Sequence, residues 1–71
     1  MNPKIIILKV CEPEKSNSSN GNYAIAIDFQ YIDGFKANTW LFTYGKQTAT
    51  ELYINTVKKL GKIIDFTELK N

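Results

Sequence analysis

The chain has 71 residues, 44% apolar and 13% aromatic, with a formal net charge of +2. That composition excludes a disordered polar chain and points to one small packed domain, residues 1–71, near the lower size limit for a self-sufficient core. The nine basic residues are all lysine and there is no histidine, which removes arginine's bidentate fork along with the commonest general base and metal ligand.

Taken in order, "PKIIILKVCE" reads as a first strand rich in β-branched residues and ending before Pro13. Both of its faces are apolar: Ile5 and Ile7 on one, Ile6, Leu8 and Val10 on the other. A strand buried on both sides calls for a rolled, barrel-like sheet or a cover from Ile63, Ile64 and Phe66. A homodimer through Ile5 and Ile7 is the remaining option. The run Ile5 to Leu8 is too short for a signal-peptide core or a membrane span.

Residues 13–22, "PEKSNSSNGN", read as a polar loop. "NYAIAIDFQYI" then alternates strictly, with Tyr23, Ile25, Ile27, Phe29 and Tyr31 on one face. Asp33-Gly34 follows, and "FKANTWLFTY" makes a third strand. A two-residue type I′ turn at Asp33-Gly34 places Ile32 opposite Phe35. Counting back from it pairs Phe29 with Asn38, Ile27 with Trp40 and Ile25 with Phe42. Trp40 and Phe42 are thereby expected in the core.

Thr48-Ala49-Thr50-Glu51 fits a capping box, so a helix is expected over 48–60 with Gly61 ending it. Its buried stripe is Ala49, Leu52, Tyr53, Thr56, Val57 and Leu60. "KIIDF" predicts a short closing strand. The expected fold is α+β: a three-stranded antiparallel sheet in the order β-β-β-α, with a brief fourth strand and one covering helix, OB-like or open.

Catalysis finds no support in the residue set. The carboxylates Glu12, Glu14, Asp28, Asp33, Glu51, Asp65 and Glu68 are scattered over different elements. Cys11 stands alone, with no disulfide partner and no activating base, which favours a reducing compartment. No cofactor, metal site or catalytic residue is expected. Single-stranded nucleic acid is held by aromatic stacking beside basic groups. The residues placed for such a patch are Tyr31, Phe35 and Lys36 near the hairpin tip, with Lys15 and Asn20 from the loop.

The order of features ("CEPEKS", "NGN", an alternating strand, "DG", an aromatic strand, "KKLG" and "DFTEL") resembles a family of small phage-encoded OB-like proteins found among single-stranded-DNA and recombination genes. The resemblance covers residues 5 to 69. It implies an accessory binder of single-stranded nucleic acid in the host cytoplasm, with Lys15 and Asn20 in the loop that OB-type proteins use for oligonucleotides. A second expectation comes from the doubly apolar first strand and the lack of arginine. It is a protein-binding module that inhibits a host complex such as a bacterial defence system. Neither expectation involves a membrane.

Overall fold

The structure, a computed structural model, describes residues 3–69. Five strands and one helix follow in the order β1 (Lys4–Val10), β2 (Glu14–Ser18), β3 (Gly21–Tyr31), β4 (Lys36–Thr43), α1 (Lys46–Val57) and β5 (Ile63–Asp65). A 3-10 turn, Phe66–Leu69, closes the described chain. The α+β class holds, but the sheet has five strands rather than three.

The long strand β3 is the axis of the sheet. Along one side it pairs with β4. Along the other it pairs first with β2 and then with β1, and β5 pairs beyond β1. All of these pairings are antiparallel. Among the described residues β4 pairs only with β3 and β5 only with β1, so the strand pairing leaves the sheet open. The barrel-like, OB-like expectation gives way to an open sheet with one helix on it.

β2 occupies what the composition marks as loop. Its Glu14 faces Ala24 and Lys15 faces Tyr23, and a tight turn at Ser19-Asn20 leads into β3. Ser and Asn are poor strand formers in isolation. Here β3 already offers an unpaired edge, and the chain leaving β1 is carried along it. Pairing with a formed neighbour outweighs the residues' own preference.

The apolar second face of β1 has a local explanation. Ile7 pairs with Phe29, but Lys9 pairs with Asp28, so Leu8 is the extra residue of a β-bulge. The bulge returns Val10 to the inner face, where it packs against the core with Ile5 and Ile7. Only Ile6 and Leu8 stay outside. Ile5 and Ile7, the residues expected to carry a homodimer, are buried within the chain's own core, and β1 is paired on both edges, so the chain itself covers these two residues.

The core consists of Ile5, Ile7, Ile25, Ile27, Phe29, Ile64 and Leu69, on one face of the sheet. The helix covers it through Ala49 and Thr56, with Leu52 and Tyr53 packed at its border. Its N-cap, Gly45, lies three residues before the Thr48 of the capping box, and the helix ends at Val57. Gly45, with φ +87°, turns the chain out of β4 and stands at the N-cap, where no side chain caps the helix. The Asn22 carboxamide oxygen accepts from the Gly45 N–H at 2.9 Å, and the Tyr44 hydroxyl donates to the Ser19 carbonyl at 2.5 Å. These two bonds tie the helix entry to the β2–β3 turn, so Thr48 falls inside the helix rather than at its cap. Leu60, expected in the buried stripe, is exposed beyond the helix end. There Gly61 (φ +75°) donates its N–H to the Ile7 carbonyl.

Candidate functional site: the outer face of the sheet

The turn between β3 and β4 decides which side chains face outward. No non-glycine residue among those described has positive φ, while Gly34 has φ +101°. A type I′ turn needs positive φ at both central positions, so Asp33 does not belong to one. Instead the Gly34 N–H donates to the Tyr31 carbonyl at 2.8 Å, and the Tyr31 N–H donates to the Phe35 carbonyl at 2.7 Å. That is a three-residue loop with a left-handed glycine forming a bulge. The Asp33 carboxylate accepts from the Phe35 N–H at 3.1 Å and braces it.

A three-residue loop moves the register by one, and one residue reverses every side chain of β4. Ile25 now faces Leu41 and Ile27 faces Thr39, on the inner side. Trp40 faces Ala26 and Phe42 faces Ala24, on the outer side. The core placement of Trp40 is thereby overturned: it is 52% exposed. The alanines Ala24 and Ala26 leave room for the two rings lying across from them.

The outer face carries no helix. Its apolar residues are Trp40 and Phe42 on β4, Ile6 and Leu8 on β1, and Ile63 on β5, which pairs with Ile6. Ile63 is 63% exposed. Two shallow grooves run over this face. One, of about 530 Å³, is lined by Leu8, Asp28, Lys36 and Asn38. The other, of about 280 Å³, is lined by Glu14, Lys15, Ser18, Ala24, Trp40 and Phe42.

Charge on this face is nearly balanced. Lys4, Lys9 and Lys36, with Lys15 along the second groove, share it with Glu14, Asp28 and Asp65. Lys4 and Asp65 form an ion pair at 2.6 Å. The Asp65 carboxylate, by hydrogen bond and by charge, raises the Lys4 pKa above the ordinary 10.5. Lys9 lies directly across from Asp28.

The five residues expected to bind nucleic acid do not form one patch. Tyr31 and Phe35 do meet: their rings stack with centroids 6.2 Å apart. Phe66 stacks on Tyr31 at 6.5 Å. Lys36 is next in sequence but projects to the outer face, opposite Gln30. Lys15 faces Tyr23, eight residues along β3 from Tyr31 and so about 26 Å away at 3.3 Å per residue. Asn20 is exposed in the turn beyond it, its N–H donating to the Ser18 hydroxyl. Trp40, Phe42, Leu8 and Ile63 were missed as surface residues. The small residues Ala24 and Ala26, alternating with bulky ones along β3, were the signal that could have found the two rings.

Among the described residues no group of three His, Cys, Asp or Glu side chains is placed to hold a metal ion. No helix among them is long and apolar enough to cross a membrane. No family model matches the chain, and neither a curated protein nor a solved structure matches it.

Proposed function

We propose that the chain is a non-enzymatic protein-binding module whose partner lies on the outer face of the sheet. The observation that carries this reading is Trp40, half exposed on an open sheet face. Tryptophan in such a setting is the residue type that most often anchors protein interfaces. The near balance of charge on that face argues the same way, because a phosphate backbone is drawn by strong net positive charge. A host complex, such as a bacterial defence system, is the partner class expected from the small size, the doubly apolar first strand and the absence of arginine.

Affinity capture from host lysate tests the proposal with three samples: wild type, wild type after nuclease, and Trp40→Ala. The expected result is a protein retained through nuclease and through raised salt, and lost from Trp40→Ala. Capture that disappears with nuclease would overturn it.

One observation favours a second reading, the accessory binding of single-stranded nucleic acid. The Phe66–Tyr31–Phe35 stack ends in a ring that is 67% exposed, on which a base could stack. Fluorescence anisotropy with labelled oligo-dT decides it. On this reading Tyr31→Ala removes about 1–3 kcal/mol of binding, and affinity falls steeply with salt.

A further inference from the structure

We infer that the free edge of β4 is a self-association strand, on which a second copy of this chain pairs antiparallel to make one continuous sheet. The hydrogen-bonding pattern identifies the groups that would do it. Tyr31 and Phe35 are a hydrogen-bonded pair. In an antiparallel ladder such pairs alternate with pairs whose N–H and C=O groups point away. Phe29/Ala37, Ile27/Thr39 and Ile25/Leu41 therefore spend their groups between β3 and β4. Lys36, Asn38, Trp40 and Phe42 direct theirs outward. The far side of β3 agrees with this phase, for the Ala26 carbonyl, paired through its residue with Trp40, accepts from the Cys11 N–H at 2.9 Å.

Natural sheet edges are blunted by prolines, bulges, charges, shortness or a covering element. The molecule uses such devices elsewhere. β5 has three residues and runs directly into a 3-10 turn. β2 follows Pro13, carries Glu14 and Lys15, and is irregular between Lys15 and Ser18. The Ser16 hydroxyl also accepts the Ser18 N–H. β4 has none of them over Ala37–Thr43: the register is regular, and the single charge of the strand is Lys36 at its first position.

That lone charge also selects the geometry. Paired antiparallel about Trp40, the two Lys36 side chains lie eight residues apart along the joint, about 27 Å, well beyond the screening length in physiological salt. A parallel in-register pairing would set them about 4.8 Å apart. The two-fold arrangement is self-complementary. Trp40 meets Trp40 of the second copy and Asn38 meets its Phe42 on the outer face, while Thr39 meets its Leu41 inside. The faces match, so both helices lie on one side, and the outer face becomes continuous across the joint.

Sedimentation velocity on the full chain, from micromolar to about 1 mM, is the test, because a dimer declares itself by its concentration dependence. Wild type is expected to dimerise within that range. Asn38→Pro removes an outward N–H that β3 does not use, so circular dichroism should show it folded, with a dimer dissociation constant raised about tenfold or more. Asn38→Ala should leave that constant within about threefold. Amide exchange on wild type at two concentrations supplies a readout that does not depend on any variant folding. The Asn38, Trp40 and Phe42 amides should gain protection as concentration rises. Wild type that stays monomeric at about 1 mM, or a dimer in which those amides gain nothing, overturns the inference.

Discussion

Both faces of the sheet carry large apolar side chains, and only one of them buries those chains. On the inner face Ile5, Ile25 and Ile27 are completely excluded from solvent beneath the helix. On the outer face Trp40, Leu8 and Ile63 are about half exposed or more. The larger side chain is the one left outside. Side-chain size therefore does not decide burial in this fold; register does, and the register of β4 depends on a single loop residue.

The most severe way to break the contrast is to empty the inner face. Ile25→Ala is expected to cost about 2–5 kcal/mol, the usual range for truncating a buried isoleucine. In so small a domain that is a large share of the total stability. Urea denaturation followed by far-UV circular dichroism measures it, and a loss below about 1 kcal/mol would show that the inner face is not the core.

A smaller effect comes from the seam that joins the two hairpins. Gly21 is buried, and a Cβ placed there would stand 2.5 Å from the Thr43 carbonyl oxygen and 2.6 Å from its nitrogen. Because backbone rather than a flexible side chain is in the way, the strands must separate. Gly21→Ala is expected to cost about 1–3 kcal/mol, as overpacking does. A thermal midpoint equal to wild type would contradict the close approach.

Trp40→Ala sharpens the comparison most directly. With its side chain on the outer face the variant should keep its fold and lose less than about 1 kcal/mol, against about 3–5 kcal/mol for a buried tryptophan. Partner binding should fall while stability holds. An unfolded Trp40→Ala variant would restore the two-residue turn and the inward tryptophan.

The smallest expected effect lies at the outer-face ion pair. Asp65 raises the Lys4 pKa, so the pair's contribution is fully present below the ordinary lysine value of 10.5 and is lost as pH rises through the higher folded value. Lys4 is exposed, and exposed pairs are screened by solvent and salt. Lys4→Gln should leave the thermal midpoint at neutral pH nearly unchanged. The remaining difference from wild type should vanish only at strongly alkaline pH.

Which parts of this molecule the sequence makes legible follows from how local each signal is. The alternation over β3 is a property of one strand, and Ile25, Ile27 and Phe29 are buried as it predicts. The helix stripe is equally local, and Ala49, Leu52, Tyr53 and Thr56 lie on the packed side. Gly34 and Gly61 have the positive φ that their positions require. The outer-face site was not legible, because it depends on the pairing of strands rather than on any one of them. Asp33-Gly34 is compatible with two loop lengths, and the choice between them turns Trp40 and Phe42 from inside to outside.

The sequence by itself determined an α+β domain, its principal strands, its helix, and the isoleucine-rich face of β3. Period and turn chemistry encode those within a few residues of chain. Tertiary structure alone decided the rest. It drew residues 14–18 into a strand because β3 offered an edge. It placed a bulge at Leu8 so that Val10 could reach the core, and it set the helix cap at Gly45 through bonds from the β2–β3 turn. It also left Trp40 on an open face. Each of these is a contact between segments far apart in the chain, whose free energy no single segment's pattern contains.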